Sequence, residues 1–298
     1  MVRSLFRCFP VALGLVTPAP AAPAADPPPN VVIVMIDTLR PDHLALYGYG
    51  TVTSPFLDDL GDRSLVFRRA TSTSSWTAPA VASLFTGLYP QQHGVTLGLQ
   101  AQRTTGGRQK LSAHRLAPDV RTLPEVFRRA GYATYGISTN VNVDQALGFQ
   151  RGFDRFVRLE HVPLAGIADP IAGKTPANIP ATAEHVDAVL REWEPDLRAA
   201  DPWLLYLHFM DPHKPYHARP PWFEDPGPDG DGTVAAYDSE IAYLDRTLAR
   251  IHERLGLGGH DIVVVVSDHG EEFGDHGGHG HKGGLHRELN RIVLMISA

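Results

Sequence analysis

Residues 30–36 read NVVIVMI and run into Asp37-Thr38, and residues 261–267 read DIVVVVS and run into Asp268-His269. Each run is short, apolar at consecutive positions and rich in β-branched residues, the pattern of a strand buried on both faces. Residues 132–138 (YATYGIS), 203–210 (WLLYLHFM) and 292–297 (IVLMIS) have the same character. Helical patterns lie between them. Residues 122–131 (TLPEVFRRAG) end on Gly131, a C-cap residue, and residues 182–198 form a second pattern. In residues 234–255, Tyr237, Ile241, Leu244, Leu248 and Ile251 recur at helical spacing. Buried strands alternating with helices predict an α/β fold around a mainly parallel sheet. Ligands of such sheets bind beyond the carboxyl ends of the strands. Polar residues stand at four of those ends: Asp37-Thr38, Asn140 with Asn142, Asp211 with His213, and Asp268-His269.

The chain has 298 residues, with 27 Lys+Arg against 33 Asp+Glu and a net charge of −6. That length suits one large domain or two small ones. The charge offers no basic footprint for non-specific nucleic-acid binding. Residues 1–24 have the layout of a secretory signal. Arg3 and Arg7 precede a short apolar stretch, residues 8–16 (CFPVALGLV), and A-x-A sites follow at residues 19–21 and 22–24. Nine apolar residues are too few to cross a bilayer, and no other segment approaches a membrane helix. The expectation is cleavage after Ala24, a linker at residues 25–29, one folded domain over residues 30–298, and a periplasmic or extracellular location. Cleavage would remove Cys8, the only cysteine. The mature chain would then have no thiol nucleophile and no thiolate metal site.

Asp268-His269 delivers a carboxylate and an imidazole to one point, a pair that suits a divalent metal. The alternative is a helix N-cap Asp with an incidental His. Asp37, ending a different buried strand, adds a second carboxylate that needs solvent, a partner or a cation. In residues 74–87 (SSWTAPAVASLFTG), Pro79 fits the first turn of a helix and Gly87 its end. Thr77 then lies at or just before the N-cap, where backbone N–H groups favour an anion. Its hydroxyl is a weak nucleophile unless a metal or base activates it. Residues 98–118, 163–180 and 219–232 read as surface loops. His276, His279, His281 and His286 crowd a Gly-rich stretch, which either supplies nitrogens to a second metal or is an exposed loop that tolerates His. Arg68-Arg69, Arg128-Arg129 and Glu271-Glu272 read as solvated charges or helix-end partners. Trp203 and Trp222 read as packing residues.

Five segments together resemble the sulfatase family of the alkaline-phosphatase superfamily: residues 35–50 (MIDTLRPDHLALYGYG), 76–95 (WTAPAVASLFTGLYPQQHGV), 207–216 (LHFMDPHKPY), 237–251 (YDSEIAYLDRTLARI) and 267–288 (SDHGEEFGDHGGHGHKGGLHRE). The resemblance implies an alkaline-phosphatase-like α/β/α sandwich with one or two divalent metals, Ca, Zn or Mn, that cleaves sulfate or phosphate esters. It implies metal ligands at Asp37, Asp268 and His269. The last stands where many sulfatases have Asn and the phosphonate monoester hydrolases have His. Thr77 stands at the nucleophile, itself a metal ligand, and His213 near the substrate or leaving group. The substrate-binding cation slot falls on Lys282 counted back from Glu288 and Arg291, and on His281 counted forward from Asp268.

The departures are informative. The family's C/S-x-P-x-R motif reads Thr77-Ala78-Pro79-Ala80-Val81 here, so the residue oxidised to formylglycine and the Arg are both missing. Ile36-Asp37 stands where many sulfatases have two Asp. Threonine at this place resembles phosphatase-like and phosphotransferase-like branches. The expected substrate is a small-molecule, glycan or lipid sulfate or phosphate ester, with neither a nucleic-acid partner nor an integral membrane segment. Transfer to a lipid or glycan acceptor, and a non-catalytic binding protein on the same fold, are the alternatives. Family members usually continue into a further C-terminal subdomain. The expectation is therefore a fragment or a short form that lacks it, and in a fragment the last strand would be an exposed edge.

Overall fold

The six apolar residues Val31–Ile36 form strand β1, and every one is buried. Val32, Val34 and Ile36 join one hydrophobic cluster, while Val31, Ile33 and Met35 join another. The two-residue period of a strand thus feeds two cores, and this is why the run is apolar without alternation. A fully buried Val or Ile side chain contributes about 1.5–3 kcal/mol, so β1 anchors both layers.

The structure is a computed structural model that describes residues 27–99, 113–159, 181–227, 230–281 and 284–298. After β1 come α1 (Pro55–Asp62), β2 (Leu65–Val66), α2 (Thr77–Thr86), α3 (Pro90–His93) and α4 (Leu123–Arg129). Next are β3 (Ala133–Ser138), β4 (Arg155–Arg158), α5 (Ala183–Ala199), β5 (Trp203–Phe209) and α6 (Gly232–Leu255). The described chain closes with β6 (Ile262–Ser267), β7 (Glu272–Phe273), β8 (His279–Gly280), α7 (Arg287–Asn290) and β9 (Leu294–Ser297). The main sheet has the order β2-β9-β6-β1-β5-β3-β4, and β7 and β8 pair as a separate hairpin. Strands β6, β1, β5, β3 and β4 run parallel, while β9 is antiparallel to both β6 and β2.

Helices α5 and α6 cover one face of the sheet and α2 covers the other, giving the α/β/α sandwich. In α6, Tyr237, Ile241, Leu244, Leu248 and Ile251 are all buried, as their spacing requires. The helix begins at Gly232, two residues before the apolar pattern, because the Asp231 side chain accepts from the N–H groups of Thr233 and Val234.

Several expectations change. The last strand is not an edge: β9 lies between β6 and β2, and the two-residue β2 is the edge. Strand β4, with a partly exposed RFVR sequence, was not legible as a strand. Arg219, placed in a surface loop, is only 2% exposed and ion-pairs with Asp211 and Glu240. Trp203 is buried as a packing residue, but Trp222 is 38% exposed at the edge of Tyr243. Residues 1–24 and the loop expected at 163–180 lie outside the described residues, as does most of the loop at 98–118. Among the described residues, no helix is long and apolar enough to cross a membrane.

Candidate active site

Strand register brings the site together. In the parallel pair β1–β6, Ile36 lies opposite Ser267, so the residues that follow, Asp37 and Asp268, leave the sheet side by side. The Asp37 N–H donates to the Phe209 carbonyl (3.0 Å) and extends the β1–β5 ladder by one bond. Thr38 then turns with φ +56°, a left-handed conformation that a β-branched residue rarely adopts. Two contacts hold it there: the Thr38 N–H donates to Asp268 Oδ1 (3.1 Å), and the Tyr237 hydroxyl donates to the Thr38 carbonyl (2.8 Å). Strain stored at such a turn commonly marks a functional site.

Asp37, Asp268 and His269 are all fully or nearly fully buried. His269 Nε2 lies 3.3 Å from Asp268 Oδ2 and 3.9 Å from Asp37 Oδ1. His269 Nδ1 is 2.9 Å from the Gly270 carbonyl, which can only accept, so Nδ1 carries a proton and in the neutral ring Nε2 presents a lone pair. A lone pair and two carboxylate oxygens therefore converge. Among the described residues, Asp37 Oδ1 and Asp268 Oδ2 have no hydrogen-bond partner. Orphaned buried acceptors are costly unless a cation joins them. This donor set, two carboxylates and one imidazole, fits a divalent metal such as Zn²⁺ or Mn²⁺, and Ca²⁺ would draw on further oxygens.

Thr77 is 1% exposed and its Oγ1 lies 3.4 Å from His269 Nε2. It is the first residue of α2 and not its cap. Trp76 occupies the N-cap, and no side-chain capping bond is made there. The plain capping role is thus ruled out, and the hydroxyl faces His269 from the positive end of a ten-residue helix.

The site also contains residues that were undervalued or missed. Asn140 donates from Nδ2 to Asp37 Oδ2 (2.5 Å), with Thr77 Oγ1 3.4 Å away. The Asn142 N–H donates to Asn140 Oδ1 (2.7 Å) and fixes that side chain. His208, fully buried on β5, lies with Nε2 3.3 Å from Asp37 Oδ2 and with Nδ1 3.1 Å from the Tyr206 hydroxyl. Its Nε2 and one oxygen each of Asp37 and Asp268 lie within 4.8 Å of one another. Only the parallel pairing that sets His208 opposite Met35 reveals it, for within WLLYLHF it reads as one polar residue in a core strand.

Glu271 corrects the reading of Glu271-Glu272 as solvated charges. It is fully buried, and His281 Nδ1 lies 2.9 Å from its Oε1. The His281 ring is 4.5 Å from that of His269 and 5.1 Å from that of His213, so three imidazoles form one cluster. His213 Nδ1 lies 2.6 Å from the Lys214 carbonyl and must donate to it, which leaves Nε2 unprotonated in the neutral ring. The structure therefore sets His281 beside the site, while Lys282 lies outside the described residues. Of the other loop histidines, His276 and His286 stack on each other at 4.0 Å, apart from this cluster.

The electrostatics agree with an unmet demand for positive charge. Burial opposes ionisation of Asp37, but the His208 hydrogen bond and the fields of His213 and His269 outweigh it and hold the carboxyl well below its usual range. Burial, and then the charge of Asp37, push Asp268 up. Burial alone would lower His269, yet Asp268 and Asp37 raise it. The same field that favours a proton on His269 favours a divalent cation. Burial lowers His281, only partly opposed by Glu271.

Known proteins share the family and the fold. The sulfatase family model matches residues 29–298. Steryl-sulfatase of Mus musculus is 26% identical over 87% of this chain and 54% of its own length. Phosphonate monoester hydrolase of Agrobacterium radiobacter has a TM-score of 0.68 at 21% identity, covering 90% of this chain and 68% of that one. The zinc complex of the C-terminal periplasmic domain of EcEptC from Escherichia coli has a TM-score of 0.66 at 18% identity, covering 92% and 73%. These two structures are likenesses of fold. The chain spans about half the length of the curated relatives it matches. With a family match that extends across nearly all of its residues, on a sheet whose carboxyl ends gather the acidic and imidazole groups described, this chain belongs to the sulfatase family.

Proposed function

We propose that the protein is an exported, metal-dependent sulfatase-like hydrolase that cleaves sulfate or phosphate esters, phosphonate and diesters included, with Thr77 as nucleophile. The observation that carries this reading is the convergence of Asp37 Oδ1 and Asp268 Oδ2, both without hydrogen-bond partners among the described residues, on His269 Nε2 beside the Thr77 hydroxyl. Asp37, Asp268 and His269 would hold the cation, with Thr77 as a further ligand. A divalent metal bound there supplies positive charge that offsets the ester's oxygens and acidifies a nearby hydroxyl.

The chain's own groups do the rest. Asn140 and the first turn of α2 orient Thr77 and donate toward an anion. Thr77 Oγ1 forms the bond to sulfur or phosphorus as the ester oxygen departs, and its own proton is released to solvent. His213, as an imidazolium with Nδ1–H held by the Lys214 carbonyl, is the group suited to protonating the departing oxygen from Nε2 and regains that proton from solvent, and the Glu271–His281 pair lies beside it. Lys282 or His281 takes the substrate-binding slot. Water then hydrolyses the threonyl ester and restores the hydroxyl. His208 positions Asp37 from behind.

The N-terminal signal layout supports export, with residues 25–29 as linker and residues 30–298 as one catalytic domain. A fold likeness to the soluble domain of lipooligosaccharide phosphoethanolamine transferase A from Neisseria meningitidis keeps a phospho-group transferase as the second reading. Mass spectrometry of the metal-loaded protein after exposure to a sulfate or phosphate ester tests the proposal. A sulfo or phospho adduct is expected on Thr77. An adduct on another residue, with Thr77 unmodified, would contradict it.

A further inference from the structure

Outside the active site, a second group of metal-ligating side chains comes together. His276 sits in the turn of the β7–β8 hairpin, closed by Gly277 N–H to Gly274 O (3.0 Å) and Gly274 N–H to Gly278 O (2.8 Å). His286 and Glu288 lie at the start of α7. His276 Nε2 is 2.9 Å from Glu288 Oε1, and the His276 and His286 rings stack at 4.0 Å. One ligand atom from each of the three lies within 4.8 Å of the others. Glu288 is the fixed member, its side chain 9% exposed, while that of His276 is 50% exposed.

We propose that His276, His286 and Glu288 form a second, surface site for a borderline divalent cation, Zn²⁺ foremost, that staples the β7–β8 hairpin to α7. Two imidazoles and a carboxylate with a water-facing fourth position suit Zn²⁺ and disfavour Mg²⁺ and Ca²⁺, which prefer all-oxygen sets. The staple would reach the active site through backbone. The Gly270 N–H donates to the Leu289 carbonyl (2.8 Å), and a Cβ at Gly270 would collide with the Glu288 carbonyl. The same hairpin follows Glu271 and leads into His281, so a cation at its turn restrains the segment that carries the Glu271–His281 pair.

Zinc stoichiometry after equilibrium dialysis tests this, with Zn²⁺ alone as the probe. Wild-type protein should retain one equivalent more than the double variant His276→Ala/His286→Ala. Asp268→Asn should lose a different equivalent and keep the surface one. Equal zinc content in wild type and the double variant would overturn the proposal. Loss of the surface equivalent alone, with Asp268→Asn unchanged, would sink the active-site metal instead and leave this site standing. Hydrogen exchange gives a second readout in the Asp268→Asn background. Zinc should slow exchange across residues 271–281, and His276→Ala/His286→Ala should abolish that effect. Exchange that ignores zinc in the Asp268→Asn background would overturn the staple. Both histidines are exposed, and an unchanged melting temperature of the zinc-free double variant checks that its fold survives.

Discussion

Two clusters of buried carboxylates sit at the same end of the sheet and solve the same problem differently. In the first, Arg219 donates from Nη2 to Asp211 Oδ1 (3.0 Å) and to Glu240 Oε1 (3.1 Å), and stacks over Tyr243 at 4.5 Å. Asp211 also accepts from the Ala183 N–H (2.9 Å), so it ties the start of α5 to the loop after β5. Burial pushes both carboxyls up, and Arg219 supplies the compensating charge from within the chain. In the second cluster, amide donors and imidazoles meet one oxygen each of Asp37 and Asp268, and the other oxygen of each is unmatched among the described residues. A structural cluster brings its own cation, whereas a binding cluster leaves lone pairs convergent on a point that an external cation can fill.

The comparison can be broken at the open cluster first, where the effects are largest. Replacing Thr77 with Ala keeps a good helix former at the first position of α2. Ester hydrolysis should fall roughly a thousandfold or more in kcat/KM, with little change in melting temperature. Unchanged hydrolysis would remove Thr77 from the chemistry. At the closed cluster the damage should be to stability. Arg219→Met leaves two buried carboxyls without their cation, and urea unfolding should show a loss of about 3–5 kcal/mol. A loss well under that range would mean that the carboxyls are satisfied without Arg219.

His208 belongs to the open cluster and lies against Asp37. His208→Asn should weaken metal binding or activity by about 10–100-fold, the usual cost of losing a group that orients a ligand. The effect should be recovered in part at higher metal concentration, which distinguishes positioning from chemistry.

Asp245 is an intermediate case, a buried carboxylate that accepts from the Phe56 and Leu57 N–H groups, both at 2.9 Å, at the start of α1. Burial pushes it up to about 7, only partly offset by those donors. The folded state therefore holds this proton more tightly than the unfolded state. Its contribution is complete below the unfolded value of 3.8 and is lost as pH rises through about 7. Asp245→Asn should flatten the fall in stability across that window, seen as a smaller difference between urea midpoints at mildly acidic and mildly alkaline pH. An identical pH slope in the variant would show that Asp245 ionises freely.

The legible part of the molecule follows from periodicity. Both-face burial of residues 31–36 and of β5 and β6 needs continuous apolar sequence, so the parallel sheet and the polar residues at its exits could be read directly. Asp37, Asp268 and His269 come together because strand register aligns chain positions that the sequence shows only as strand ends, and the start of α2 brings Thr77 to them. The rest depends on tertiary contacts. His208 is hidden inside a core strand, and Glu271 looks like half of a solvated pair until His281 folds back over it. Arg219 sits among prolines and glycines that signal a loop, and nothing local announces its two buried partners. Strand β9 was foreseen, but its antiparallel insertion between β6 and β2 is a matter of topology that apolar content does not encode.

The central claim is that Asp37, Asp268 and His269 share one cation beside Thr77. Anomalous diffraction from crystals of the zinc-loaded protein tests it most directly. A peak is expected within about 2.0–2.2 Å of Asp37, Asp268 and His269 Nε2, in contact with the Thr77 hydroxyl. Zinc-loaded crystals with no anomalous density among these side chains would contradict it.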